Sequence, residues 1–579
     1  MLEQTRKDDN AIHPAAGCTC IWRRPVVWLV LVLLVCAGVR VWAAEHAEVI
    51  AKDGVIYLEM ARLWGTNPHA VVQGYDYPPG YPVAVAVTHG LLTRAGLTDR
   101  LELWEYSGRL ISMLAAIASM AALWVLARAA FSPQIAAMTV LLFGVSRKWT
   151  YLGVDTLSDS LAVAFQLWAT VGLWKMLSLL KQRPWLALLT AAGAGVLIGC
   201  GYLVRPESVW LLPIAALVCL WWCIRRRSGW GTSLASLVLM GGCALAVGLP
   251  YMKAIGGFSQ KDSFEKVLGY IGEAAAQNSP TPPPPSRVDP LFPPAPAAVA
   301  ASLADSSIGQ WAPMVIKPTF KIVSRLFEGM SPILGVGLVI WICWLALKRW
   351  VPQAAFASAG SMPAGAYGPI LIAAAVVVVP VLVLLYIKSS YISHRHIMFL
   401  SALASPLASA GIVVTGSLAA AAVPAFAKRP HAARHLTALI ACVVFVALTL
   451  VTVHASHTDK GYLQDAGLYV RSAAAGGDRL LTTDLRIGHY SQIPYKVLNP
   501  AGLAAPATFW TYMAEGAPAA TLVALSQKDM NETEQGRKAL AQMAKDPRLA
   551  AIGTFVQEEG ASDRVMVFRV RAAQTQPAP

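Results

Sequence analysis

The feature that most restricts the fold of this chain is a series of long apolar segments that carry almost no charge. Several of them approach the roughly 20 residues that an α-helix needs to cross the hydrocarbon core of a bilayer. Only 14% of the 579 residues are charged, whereas soluble proteins have about 25%. We therefore predict a polytopic α-helical membrane protein with about eleven transmembrane helices. The predicted spans are 25–44, 105–128, 134–150, 160–178, 185–203, 208–224, 232–252, 330–347, 369–387, 397–424 and 435–454.

One further apolar segment, 79–93, is too short for a simple assignment. As a helix it would extend about 22 Å, against a hydrocarbon core of about 30 Å. It could still cross the membrane, or it could turn back. Arg23 and Arg24 precede the first span and place the amino terminus in the cytoplasm. If 79–93 turns back, the "RRR" sequence at 225–227 also becomes cytoplasmic, so we predict a re-entrant or juxtamembrane helix.

This orientation defines the expected domains. Residues 1–24 form a cytoplasmic tail, and 25–454 form the transmembrane domain. Within it we expect a first outer loop at 45–104 and a proline-rich outer loop at 253–329, whose "PTPPPPS" sequence suits a semi-rigid linker. Residues 455–579 have the composition of a soluble domain on the extracytoplasmic side.

The carboxy-terminal segment has the pattern of a small α/β domain. "DRLLTTD" and "ATLVALS" are typical of buried strands. "NETEQGRKALAQMAKD" predicts a helix capped by Asn531, and the following sequence predicts a hairpin that turns at Gly560.

The formal charge of +15 does not indicate nucleic-acid binding. Lys and Arg collect at the ends of the apolar segments, where they set orientation and meet the head groups of membrane lipids. We therefore expect lipids, and no nucleic acid, as partners.

Three aspartates lie on the predicted outer face. Asp53 begins an amphipathic segment, "KDGVIYLEMARLW", and Asp155 and Asp159 begin the apolar segment "DTLSDSLAVAF". Each could simply favour a helix amino terminus or cap it. Two acids four residues apart at the edge of the hydrocarbon are nevertheless costly unless they are used.

Basic and aromatic residues share that face. His394, Arg395 and Lys388 form a cluster of a kind that positive-inside bias makes unusual there. Arg205 precedes "PES" and could merely pair with the following glutamate. Tyr57 lies at helical spacing after Asp53, and Tyr77 belongs to the interfacial sequence "YDYPPGYP". Basic groups suit a phosphate, and an acid can accept the proton of an attacking hydroxyl. Together they suggest group transfer from an anionic lipid.

Five sequence blocks in order carry a family resemblance, over about residues 50–410. They are "DGVIYLEMARLW", "YPPGYPVAVAV", "DTLSDSLAVAFQLWATVGLWK", "AGAGVLIGCGYLVRPESVWLLP" and "YISHRHIMFLSALASPLASAG". In this order the chain resembles the GT-C glycosyltransferases. Within that group it is most similar to the protein O-mannosyltransferases and the bacterial lipid A aminoarabinose transferases.

The resemblance implies a polyprenyl-phosphate sugar donor that is used on the outer face of a membrane, here a bacterial inner membrane. Asp53 stands where the family has its key acid, and Asp159 stands at a second acid. Arg395 stands where an arginine holds the donor phosphate, and Arg205 matches a frequent "RPE" element. The chain departs from the family at Gly54, where many members have a second acid. It also departs at residue 77, where the aminoarabinose transferases have a lysine before the proline pair.

The resulting hypothesis is an inverting hexosyl- or pentosyltransferase that acts on a lipid, glycan or protein acceptor. Asp53 would be the general base, and Arg395, with His394 or Lys388, would hold the lipid phosphate. Asp159 would orient the acceptor or a divalent metal such as Mg or Mn, with Asp53 as a second ligand. The alternative is a transporter or flippase of lipid-linked sugars, in which the same charges would line a path.

Overall fold

A computed structural model describes eight parts of the chain: 25–260, 308–347, 366–389, 392–422, 432–454, 460–498, 521–557 and 563–571. The predicted tail 1–24, the proline-rich sequence at 278–297 and the turn at Gly560 lie outside these residues. The boundary at 455 stays a prediction, because 455–459 are outside them too.

Most of the described chain is helical. The first helices are α1 (Pro25–Glu45), α2 (Lys52–Trp64), α3 (Pro68–Gly74), α4 (Gly80–Arg94), α5 (Leu101–Ala130), α6 (Pro133–Gly144), α7 (Arg147–Val154) and α8 (Asp159–Leu179). They are followed by α9 (Pro184–Val204), α10 (Leu211–Ile224), α11 (Trp230–Ile255), α12 (Ile308–Met330), α13 (Pro332–Leu347), α14 (Tyr367–Ser389), α15 (Met398–Ala422) and α16 (Ala432–His454). Two short 3₁₀ helices, Pro206–Trp210 and His394–Ile397, precede α10 and α15.

Among the described residues, nine helices are long and apolar enough to cross a membrane, or ten if α12 and α13 together form one span. That pair bends by 114°, at Ser331, whose φ is 83°. The predicted polytopic helical class is therefore confirmed, with fewer spans than the eleven expected. The main difference is at 134–150, which we predicted as a single span. There α6 ends at Gly144, and α7 begins at the charged pair Arg147 and Lys148.

The segment 79–93, on which the predicted orientation depends, forms α4. This helix has 15 residues and is not among the candidate spans. It packs against α2, α5 and α9, and the Tyr81 hydroxyl lies 3.0 Å from both the Gly108 carbonyl and the Ser112 hydroxyl. Buried polar contacts of this kind fix α4 beside the first loop.

The carboxy-terminal region is a five-stranded mixed sheet, which confirms the predicted α/β character. The strands are β1 (Leu480–Thr482), β2 (Tyr495–Val497), β3 (Leu522–Ser526), β4 (Leu549–Val556) and β5 (Arg564–Val570), in the order β2-β1-β3-β5-β4. Strand β1 is parallel to both its neighbours, and β4 and β5 form the predicted antiparallel hairpin. The helices are α17 (Gly461–Ala473), α18 (Leu485–Ser491), α19 (Gln527–Asn531) and α20 (Glu534–Met543).

The predicted cap of the last helix was wrong. Helix α20 is capped by Thr533, whose hydroxyl accepts a hydrogen bond from the Gly536 amide. Asn531 instead ends α19. Both residue types cap helices well, so composition alone did not separate them.

Candidate active site

The start of α2 is held against the rest of the membrane domain by hydrogen bonds from backbone amides. The amide of Ala51 donates to Asp155 Oδ1 at 3.0 Å, and the same oxygen accepts the Thr156 amide at 2.7 Å. A side chain at Gly54 would meet the Thr156 hydroxyl at 1.9 Å. This close approach explains why a second acid is absent at position 54.

Asp53 and Arg395 form an ion pair at the front of this site. The Arg395 Nη1 donates to Asp53 Oδ2 at 2.6 Å. The Asp53 side chain remains 33% exposed, and the Arg395 side chain remains 22% exposed. Asp53 is in the first turn of α2, whereas Arg395 is in the 3₁₀ helix before α15. Two groups that sequence reasoning assigned to different tasks are therefore in direct contact.

Asp159 lies behind this pair and is only 3% exposed. It accepts a hydrogen bond from Arg205, and Arg395 Nε lies 3.9 Å from its other oxygen. Glu207 Oε2 is 3.8 Å from Arg205 Nε. Burial lowers the pKa of Arg205, but Asp159 and Glu207 outweigh it and raise that pKa above its usual value. The charges thus alternate along one row of side chains.

Asp155 and Tyr57 support the site from within. Asp155 is buried, with the two backbone donors described above. The Tyr57 hydroxyl lies 2.9 Å from the Ser158 hydroxyl, and its ring contacts that of Tyr77 edge-on at 5.2 Å. Burial, with the charge of Asp53, raises the pKa of Tyr57 well above its usual range, so the phenol stays neutral. Asp155, Tyr57 and Tyr77 are all predicted to bind substrate. Asp155 and Tyr57 are buried, and only Tyr77 is partly exposed.

The basic cluster predicted for His394, Arg395 and Lys388 is found only in part. His394 Nε2 is buried and has no hydrogen-bond partner among the described residues, while His396 Nδ1 accepts the Ser393 amide at 3.3 Å. Lys388 falls in the last turn of α14, and its side chain lies outside the described part of the chain.

A cavity opens beside Arg395 and is charged at one end and apolar along its walls. Its charged end is formed by Asp159, Arg205, Glu207 and Arg395. Its walls are mainly the side chains of Ala162, Val163, Leu211, Ile214, Val378 and Phe399. A cavity of this kind matches an amphiphile with a charged head and a hydrocarbon tail.

The acids do not form a convincing metal site. No group of three or more His, Cys, Asp or Glu in the described residues could hold a metal ion. Asp53 and Asp159 each face a guanidinium group, and Arg395 contacts both acids. These carboxylates are therefore already paired with arginines, and no step of the reaction considered for this site depends on a metal.

Sequence reasoning missed the contribution of the carboxy-terminal domain. Lys52, next to Asp53, forms an ion pair with Asp529 in that domain. His489 Nε2 lies 3.0 Å from Glu105 Oε1 in α5. The only signal was the position of Lys52 beside the candidate base, since pairs separated by 477 and 384 residues leave no local pattern.

Comparisons with known proteins agree with this architecture. Residues 101–251 match the family described as dolichyl-phosphate-mannose-protein mannosyltransferase. The fold is similar to that of ArnT from Cupriavidus metallidurans in the apo state, with a TM-score of 0.53 and 14% identity over 94% of this chain and 98% of ArnT. It is also similar to the oligosaccharyltransferase AglB from Archaeoglobus fulgidus, with a TM-score of 0.55 and 12% identity over 86% of this chain and 69% of AglB. No curated protein sequence matches the chain.

The fold of the chain is therefore similar to those of ArnT and AglB. The family match over residues 101–251 and this fold similarity agree with the resemblance to GT-C glycosyltransferases that the sequence blocks indicate.

Proposed function

We propose that this protein transfers a hexosyl or pentosyl group from a polyprenyl-phosphate donor to an acceptor hydroxyl on the extracytoplasmic face of a bacterial inner membrane. The observation that carries this proposal is the Asp53–Arg395 pair beside a cavity with a charged end and apolar walls. That arrangement supports the proposal, because a carboxylate, a guanidinium group and apolar side chains lie close together.

Arg395 is the donor-binding residue in this proposal. Its guanidinium can hold two phosphate oxygens in a fork geometry. The first isoprene units would lie against Leu211, Ile214 and Phe399 on the cavity wall. ArnT from Cupriavidus metallidurans has been solved bound to undecaprenyl phosphate, and AglB has been solved with a dolichol-phosphate. These ligands support the choice of donor class.

Asp53 is the general base. As the acceptor oxygen bonds to the anomeric carbon, its proton passes to the Asp53 carboxylate. The bond between the anomeric carbon and the phosphate oxygen breaks, and its electron pair leaves with the polyprenyl phosphate. Arg395 stabilises that negative charge as it develops. Attack opposite to the leaving group inverts the anomeric centre.

The contact between Asp53 and Arg395 implies an exchange of partners when the donor binds. Arg395 is occupied by Asp53 at 2.6 Å, so a donor phosphate has to compete for the same guanidinium. When the phosphate takes Arg395, Asp53 is released to meet the acceptor. Asp159 does not need to move, because Arg205 holds it. Its part is to orient Arg395 from behind.

The test uses the purified protein in nanodiscs. Native mass spectrometry should show binding of undecaprenyl phosphate but not of undecaprenol, and Arg395→Gln should abolish the difference. Lys538→Met, in an exposed pair on α20, is the matched control and should bind like the wild type. Equal binding of the phosphate and the alcohol would contradict the proposal. A flippase would bind the lipid as well, but it would not move labelled sugar from the donor to an acceptor, so a transfer assay separates the two functions.

A further inference from the structure

We propose that the carboxy-terminal domain positions the catalytic base, and that Lys52 is the positioning residue through which it does so. This inference rests on the proposed role of Asp53 as the base. According to this inference, the carboxy-terminal domain contributes to the transfer step and does not merely cover the site.

The contact that carries the inference joins α2 to the sheet domain. Lys52 Nζ lies 3.0 Å from Asp529 Oδ1 and 3.7 Å from Asp484 Oδ2. The Lys52 side chain is 46% exposed, whereas those of Asp529 and Asp484 are 11% and 1% exposed. The lysine therefore reaches from the membrane domain to two acids buried in the other domain.

The fold of the sheet explains why two acids meet there. Strands β1 and β3 are parallel neighbours, with Thr482 opposite Ala524. Their carboxyl ends therefore lie at the same edge of the sheet. Asp484 follows β1 as the cap of α18, and Asp529 lies in α19, directly after β3.

Asp484 and Asp529 differ in the hydrogen-bond partners that they have besides Lys52. Asp484 accepts hydrogen bonds from both Nε and Nη2 of Arg486, at 2.9 and 2.6 Å. Asp529 Oδ2 is buried with no partner among the described residues, and its Oδ1 is the oxygen that Lys52 contacts. A buried carboxylate that loses its cation is costly. Docking of the domain therefore depends on Lys52 more than its partial exposure suggests.

Three consecutive residues before Asp53 are each held by a named contact. The Ile50 amide donates to the Tyr490 hydroxyl at 3.3 Å, the Ala51 amide donates to Asp155, and Lys52 pairs with Asp529. Two of the three partners belong to the carboxy-terminal domain. The backbone that leads into Asp53 is thus fixed from both sides, which fits a base that must be placed accurately.

The experiment compares Lys52→Met and Asp529→Asn with the wild type in the full-length protein. We expect kcat to fall by about 10- to 100-fold, as for misplaced catalytic groups, while the affinity for undecaprenyl phosphate does not fall. The charge-swapped double variant, Lys52→Glu with Asp529→Lys, should recover activity relative to either single reversal. Lys538→Met, which removes an exposed lysine paired with Glu534 in the same domain, should leave kcat unchanged.

A structural readout keeps the inference separate from the proposed function. Hydrogen exchange of the amides of residues 50–56 should become faster in Lys52→Met and not in Lys538→Met, whatever reaction the protein catalyses. Unchanged exchange with wild-type kcat would overturn the positioning role. Weaker undecaprenyl phosphate binding in Lys52→Met would overturn it too, because Lys52 would then act on the donor. An active Asp53→Asn variant would instead remove the proposed base.

Discussion

Arg395 and Asp53 are 342 residues apart in the chain and 2.6 Å apart in the folded protein. One lies before the long buried helix α15, and the other lies in the first turn of α2. Their contact brings the candidate phosphate ligand and the candidate base together. It also means that neither group can perform its proposed task until the pair separates.

The first prediction concerns competition for Arg395. Asp53→Asn removes the charge that occupies the guanidinium, so undecaprenyl phosphate should bind more tightly to this variant than to the wild type. An increase in affinity of about 5- to 30-fold corresponds to ~1–2 kcal/mol, as for one charge-assisted hydrogen bond. Native mass spectrometry or a fluorescent lipid-phosphate competition assay would measure it. Weaker binding would show that Asp53 assists Arg395 in place of competing with it.

The second prediction concerns the buried charge of Asp159. Arg205→Met leaves this carboxylate without its nearest cation, which should lower the free energy of unfolding by about 3–5 kcal/mol. Thermal unfolding in detergent would measure the change. Asp159→Asn combined with Arg205→Met should be less destabilised than Arg205→Met alone. Arg325→Met, which removes a more exposed pair with Glu328, should cost no more than about 1 kcal/mol. Equal losses in both arginine variants would contradict the argument.

The third prediction concerns the side of the membrane on which the site lies. The predicted orientation places the first loop outside and the loop after α8 inside. In a chain without its nine native cysteines, His69→Cys should react with a membrane-impermeant maleimide added to intact cells. Gln182→Cys should react only after the cytoplasmic side is opened. Both positions are exposed. The reverse labelling pattern would put Asp53 in the cytoplasm and would contradict the extracytoplasmic site.

The fourth prediction concerns pH and Asp529. Burial raises the pKa of Asp529 above its ordinary value of 3.8, and Asp484 raises it further, whereas Lys52 lowers it. Without Lys52 this pKa should rise more. Asp529 then binds a proton more readily when the carboxy-terminal domain is docked on the membrane domain than when the two domains are apart. Docking therefore becomes more favourable as the pH falls towards the raised pKa. Charged or titratable groups that act on or respond to Asp529 are Lys52, Asp484, Arg486, Glu532 and Tyr462.

This pH effect can be measured by limited proteolysis between the two domains. Lys52→Met should regain protection as the pH is lowered from neutral, whereas Asp529→Asn should change no more with pH than the wild type. A pH response that is identical in the two variants would show that Asp529 does not govern docking.

Much of the fold follows from local patterns in the sequence. Long uncharged segments predict spanning helices, and α2 and the β4–β5 hairpin were visible as amphipathic or alternating stretches. The break after Gly144 was missed, although the charged pair Arg147 and Lys148 lies inside the predicted span 134–150. The position of Gly144 within the helix packing could not be read from the sequence. A side chain at Gly144 would meet Cys36 and Met120 of two other helices at 2.5 and 2.6 Å.

The site was predictable in its residue types but not in its pairings. The distribution of Lys and Arg around the spans predicted that Asp53, Asp159 and Arg395 lie on one face of the membrane. It could not show that Arg395 contacts both acids, or that Asp155 serves the backbone of residue 51. Those contacts depend on how helices from distant parts of the chain pack. For the same reason, Lys52 had no sequence signal beyond its place beside Asp53.

The most direct test of the central claim is transfer of sugar by the purified protein. Radiolabelled undecaprenyl-phosphate mannose, glucose, galactose and arabinose would each be supplied with a membrane extract as acceptor. We predict that label from at least one donor reaches the acceptor with the wild type and with the control variant Lys538→Met, which changes an exposed residue outside the site. Asp53→Asn should retain at most about 1% of that rate, because general-base catalysis contributes about 10²–10⁴-fold. Full activity of Asp53→Asn, or movement of intact donor across the bilayer without transfer, would contradict the account.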